Sequence, residues 1–133
     1  RPFQTYTQGI VIFDGLYTNV TVRDNVIINQ AWHAIALYGI KNGVVERNTV
    51  ANTLGRVSWI KVPNAKSDAW TPQNVVMRDN VAPNVSGSNV MLVNNYTYTD
   101  PVATFVKFDL VNMVFDLRIK STSPIYGKGA GAY

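Results

Sequence analysis

Apolar residues alternate with polar ones in short runs, and the runs recur along the chain. Val20 and Val22 can face one way while Thr21 and Arg23 face the other, and Val75-Val76-Met77-Arg78 repeats the arrangement. A bend follows each run, at Asp24-Asn25 and at Asp79-Asn80, and a second short apolar run begins at once, Val26-Ile27-Ile28 or Val81-Ala82. A further strand is predicted in each unit: Gly9–Phe13, Ala34–Tyr38, Trp59–Val62 and Asn89–Val93. In these strands Ile10/Ile12, Ile35/Leu37, Ile60/Val62 and Val90/Leu92 are placed inward. No segment carries a roughly 3.6-residue apolar stripe long enough for a helix.

Set in register, three stretches are versions of one another: NVTVRDNVIINQ from Asn19, NGVVERNTVANT from Asn42 and NVVMRDNVAPNV from Asn74. The alignment puts Asn25, Asn48 and Asn80 in one column and Asn29, Asn52 and Asn84 in another. Repeats of about 20–50 residues mark architectures in which each unit buries its apolar face only against its neighbours. The expected fold is therefore all-β: a right-handed parallel β-helix of about four to five rungs with Asn-lined bends and a Gly-rich C-terminal tail. A β-sandwich also suits short strands, but it needs hairpin turns, and the best candidate, Asn42-Gly43, sits inside the repeat.

One domain over residues 1–133 is expected, reading as the C-terminal part of a longer chain. Residues 63–72 form an inserted loop flanked by Pro63 and Pro72 and displaying Trp70. Arg1 to Tyr6 read as half a rung, so an upstream domain or symmetry-related chains should cover that end.

Composition narrows the partners. The chain is 47% hydrophobic and 15% charged, which suits a packed core, and it has no cysteine for a disulfide or thiolate metal site. Asparagine is the outlier at 14 residues, a type that tolerates left-handed bends and stacks in amide ladders. The net charge of +4 is mildly basic and compatible with anionic partners. The basic residues are scattered, so no nucleic-acid partner is expected, and no apolar run approaches the roughly 20 residues of a membrane span. No cofactor is expected; a calcium site on oxygen ligands is possible, though no calcium-binding motif supports one.

Several strings together resemble the right-handed parallel β-helix (pectate-lyase-like) superfamily of secreted and phage-borne carbohydrate-active proteins. They are Gln8-Gly9-Ile10, the repeated asparagine bends, Trp32–Gly39, Ser58-Trp59-Ile60-Lys61-Val62 and the closing Phe115-Asp116-Leu117-Arg118-Ile119-Lys120 before Ser123-Pro124. The resemblance implies an extracellular, cell-surface or virion location and a polysaccharide partner, engaged by an adhesin or tailspike-like module. The same superfamily contains lyases, hydrolases and oligomeric, often trimeric, scaffolds, and these readings stay open.

The residues themselves suggest two kinds of chemistry. Tyr38, Arg56, Trp59, Lys61 and Trp70 would bind carbohydrate: rings stack on sugar faces, and cations meet hydroxyls or carboxylates. His33, the only histidine, could act as a base, with Asp14 and Lys61 as further catalytic candidates. Glycoside hydrolysis usually needs two carboxyl groups about 5–9.5 Å apart, and the eight acids here are dispersed.

Overall fold

The computed structural model describes residues 7–66 and 70–133. The expected half-rung at residues 1–6 and the loop residues 67–69 lie outside them. The chain runs through β1 (Ile10–Ile12), β2 (Thr21–Arg23), β3 (Val26–Asn29), β4 (His33–Leu37), β5 (Lys41–Glu46) and β6 (Thr49–Asn52). It continues through β7 (Trp59–Val62), β8 (Gln73–Arg78), β9 (Val81–Ala82), β10 (Asn84–Gly87), β11 (Met91–Val93) and β12 (Tyr96–Thr97). A single helical turn, α1 (Pro101–Thr104), leads to β13 (Phe105–Asp109) and β14 (Val114–Ile119). Among the described residues no helix is long and apolar enough to cross a membrane.

Three parallel sheets are visited in rotation. Sheet A contains β1-β4-β7-β10, sheet B β2-β5-β8-β11 and sheet C β3-β6-β9-β12. Each pass through A, B and C is one rung, lying directly on the last, as the parallel registers Thr21↔Val44, Val44↔Val76 and Val76↔Met91 record. This is the stacked parallel arrangement of a solenoid, and it removes the sandwich reading.

The corners explain why asparagine and aspartate recur. Asn19, Asn42, Asn74 and Asn89 enter sheet B with φ between 52° and 58°, and Asp24, Arg47, Asp79 and Asn94 leave it with φ between 48° and 57°. That left-handed conformation costs L-residues free energy and least disfavours Asn and Asp. Arg47 is the exception, and its guanidinium is held by Asp24 (Nε to Oδ1, 2.7 Å) and Glu46 (3.3 Å). Immediately after each such residue stands an asparagine whose side chain spans the rungs. Asn25 Nδ2 donates to Asn48 Oδ1 (3.0 Å), Asn48 Nδ2 to Asn80 Oδ1 (3.0 Å), and Asn80 Nδ2 to Asn95 Oδ1 (2.8 Å). Their remaining amide protons go to main-chain oxygens inside the coil, for example Asn48 to Val22 and Asn80 to Val45.

Inward side chains fill the coil. Ile35, Leu37, Ile60, Val62, Val45, Met77 and Val50 are fully buried in one cluster, with Ile10, Ile12 and Val90 packed at its margins. Each such aliphatic side chain contributes about 1.5–3 kcal/mol on burial.

The structure corrects three expectations. Asn89–Val93 is not a sheet A strand: Met91–Val93 pairs with β8 in sheet B, making residues from Asn89 a fourth copy of the repeat, and Leu92 is half exposed at the end of the stack. Asn84 leaves its column, because β9 stops at Ala82 before Pro83 and Asn84 opens β10 opposite Trp59 in sheet A. Asn29 and Asn52 do face each other in register, yet both side chains donate to Ala31 O (2.9 Å each) rather than to one another. The ending also differs from a simple last strand. Antiparallel β13 and β14 and the tail lie against the outside of sheet C, joining Phe105, Leu117, Ile125 and Ala130 to Ala51 and Val81. Gly131 is required there: its φ is 93°, and a Cβ would meet Thr49 Oγ1 at 2.8 Å.

Asn80 is the most demanding test of the ladder, since it is fully buried and its Oδ1 also accepts from Asn48 N (3.1 Å). Asn80→Leu should lower unfolding stability by about 2–4 kcal/mol through the orphaned partners it leaves, while Asn112→Leu on the exposed hairpin should cost under about 0.5 kcal/mol. Urea denaturation of the two variants checks this.

Candidate functional site

Outward positions of sheet A carry the chemistry. The strands alternate, so with Ile60 and Val62 inward, Trp59 and Lys61 face out. His33 aligns with Trp59, and Ala36 aligns with Lys61 after a bulge between His33 and Ile35. Phe13, just past β1, and Tyr38, just past β4, fall on the same side.

The rings touch edge to face. Tyr38 lies 5.4 Å from Phe13, Phe13 5.3 Å from His33, and His33 5.2 Å from Trp59. Two cations cover this row: Lys66 Nζ stands 4.3 Å from the Phe13 centroid and 5.8 Å from Tyr38, and Lys61 Nζ 5.2 Å from Trp59. Beside them, Arg56 lies 4.6 Å over the Trp32 ring, which is 46% exposed. The Trp59 indole N–H is buried and meets no acceptor among the described residues.

His33 is held in its neutral form. Burial pushes its pKa below the ordinary value, and the positive charges of Lys66 and Lys61 push it further down. A neutral imidazole among lysines can take a proton or a hydrogen bond, while the lysines attract anions.

The residues singled out in the sequence are only partly brought together. Tyr38, Trp59, Lys61 and His33 share this face, and Arg56 sits at its edge against Trp32. Trp70 packs differently: its indole lies on Gly39, where a Cβ would meet Trp70 Cδ1 at 2.5 Å, so the ring covers the base of the loop and is not displayed at its tip. Asp14 is exposed after β1 and makes no hydrogen bond or ion pair with His33 or Lys61. Among the described residues no three His, Cys, Asp or Glu side chains gather to hold a metal ion. Phe13 and Lys66 were missed by sequence reasoning. Phe13 follows the outward alternation of Val11 and was recoverable, whereas Lys66 arrives from a loop without periodicity.

A hollow of about 680 Å³ lies elsewhere, lined by Thr49, Leu117, Ile125 and Gly131 among others. Its one guanidinium, Arg118, is already engaged by Asp116 (Nε to Oδ1, 2.9 Å). The sheet A face is flatter but gathers more unspent polar chemistry.

No protein-family model matches this chain, and no curated protein or solved structure does so.

The depressed His33 pKa has a stability consequence. Above its unfolded value of about 6.5 both states are neutral and the full stability is present. As pH falls through 6.5 the unfolded chain takes up a proton first, so stability declines until pH passes the lower folded value. Urea midpoints should therefore drop between neutral pH and mildly acidic pH, and His33→Gln should remove that component of the drop.

Proposed function

We propose that the chain recognises an acidic surface polysaccharide through the outer face of sheet A. In this reading it is a right-handed parallel β-helix of the pectate-lyase-like kind, displayed outside a cell or on a virion. The observation that supports it is the unbroken row Tyr38–Phe13–His33–Trp59, flanked by Lys61 and Lys66. Edge-to-face rings leave parts of several aromatic surfaces open, which suits sugar C–H groups, and two ammonium groups suit uronate or sulfate oxygens. Rungs repeat about 4.8 Å apart, close to a pyranose length, so a long face suits a chain ligand better than a small molecule. A second reading, eliminative cleavage by a lyase, is favoured by one feature: a neutral imidazole beside two cations, a base next to groups that could neutralise a uronate carboxylate.

Binding to a panel of acidic and neutral glycans tests the first reading. Trp59→Ala and Tyr38→Ala should each weaken binding to the acidic members by about tenfold or more, a loss near 1.4 kcal/mol. Lys61→Ala should weaken it and flatten its salt dependence. Tyr126→Ala, on the far side of the molecule, should leave it unchanged. Wild-type affinity in both Trp59→Ala and Tyr38→Ala would refute the face as the site. Appearance of unsaturated uronate absorbance with the wild type, lost in His33→Gln, would establish the lyase reading instead.

A further inference from the structure

His33 is the middle member of the row on sheet A. Its ring meets Phe13 on one side (5.3 Å between centroids) and Trp59 on the other (5.2 Å), both edge to face. An ammonium stands at each flank, Lys66 Nζ 4.3 Å from the Phe13 ring and Lys61 Nζ 5.2 Å from the Trp59 ring. Packing thus fixes the plane of the imidazole. Its two nitrogens make no hydrogen bond or ion pair with any described residue.

Every element packed against His33 bears on its charge. The end of β1 brings Phe13, with Asp14 next in the chain, and β3 carries no charged residue. β7 brings Trp59 and Lys61, preceded by Arg56 over Trp32, and the loop after β7 brings Lys66. β4 itself is followed by Tyr38. Of these charges, Lys66 and Lys61 are the ones that act on His33, and no described carboxylate pairs with it.

The missing counter-ion is what an acidic ligand supplies. A carboxylate or sulfate beside the lysines offsets the field that disfavours imidazolium, and it accepts a hydrogen bond from the ring once the ring is charged. Anion and proton then favour one another, and the coupling is reciprocal.

We infer that His33 couples recognition on this face to pH: an anionic group settling beside Lys61 and Lys66 draws a proton onto the imidazole, so acidic polysaccharide is held more tightly in mildly acidic surroundings. The inference rests on the polysaccharide reading of sheet A and adds a proton to the binding equilibrium. At alkaline pH the ring is neutral both free and bound, and the lysines alone hold the anion. As pH falls the bound form is protonated first, and affinity climbs until the free form is protonated too. A gap of about one pH unit between the two midpoints gives about a tenfold gain. Uronates keep their charge down to about pH 4, so the ligand's own charge does not change over this range.

His33 is the only histidine, so its ring protons give a single NMR titration curve in the full chain. The midpoint should rise by about one pH unit on saturation with alginate oligomers or dextran sulfate, and should stay in place with neutral dextran. At constant ionic strength, affinity for the two acidic probes should rise about tenfold from about pH 8 to about pH 5. Calorimetry in buffers of different ionisation enthalpy should register the proton taken up. His33→Gln, its fold checked by circular dichroism, should flatten the pH profile; a residue that only packed would shift affinity alike at every pH. Trp59→Ala separates two failures. Binding that Trp59→Ala weakens, with the His33 midpoint and the pH profile unmoved, overturns the coupling and leaves the polysaccharide face standing. No binding of any acidic glycan at any pH overturns both.

Discussion

The row of side-chain amides at the corner between sheets B and C is the constraint on which the rest of the structure depends. A parallel strand cannot turn tightly into the next sheet without leaving main-chain groups unpaired at the bend. Asn25, Asn48, Asn80 and Asn95 satisfy those groups above and below while holding the rungs in register. A one-residue slip would turn the whole inward set, Val22, Val45, Met77 and Leu92, to solvent. The residue just before each amide must adopt positive φ, which is why Asp24, Asp79 and Asn94 stand there. Arg47 makes the same turn, and its guanidinium is paired with two carboxylates. Local conformation, hydrogen bonding and core packing thus select the same register.

From that register the sheet A face follows. Once Ile35 and Ile60 are inward, His33 and Trp59 must stack outward, and Phe13 and Tyr38 close the row above them. The rings of this face are therefore positioned by strands or strand ends, whereas Lys66 is delivered by a loop. Trp70 packs on Gly39, and its carbonyl oxygen accepts from Ala65 N–H (3.2 Å), next to Lys66. The amide ladder has a direction as well, since Asn25, Asn48 and Asn80 each donate to the next asparagine along the stack.

Much of this was legible in the chain because corners impose residue-type demands. The three aligned repeats, the inward isoleucines and the outward Trp59 and Lys61 follow from alternation and from asparagine's tolerance of positive φ. The fourth repeat was hidden for two reasons. Val93-Asn94-Asn95 stands where two of its predecessors carry Arg-Asp-Asn, and with β9 ending before Pro83 and no inserted loop between β10 and β11 the step from Asn80 to Asn95 is 15 residues, against 23 and 32 for the earlier steps. Asn84 was misplaced for the same reason. The β13–β14 hairpin was not legible because alternation along a strand is identical for parallel and antiparallel partners. Trp70 was read as displayed, since no pattern in a loop reveals that a glycine elsewhere leaves room for a ring. The hydrogen bonds of Asn29 and Asn52 to a shared carbonyl oxygen were equally invisible, because sequence alignment puts residues side by side without saying what their side chains touch.

The claim that buried amides clamp successive rungs has a direct readout in the exchange of side-chain amide protons with D₂O, followed by NMR. The Nδ2 protons of Asn48 and Asn80 should persist long after those of Asn112 have vanished, with the half-buried Asn25 intermediate. Equal, rapid loss at all four asparagines would contradict the account.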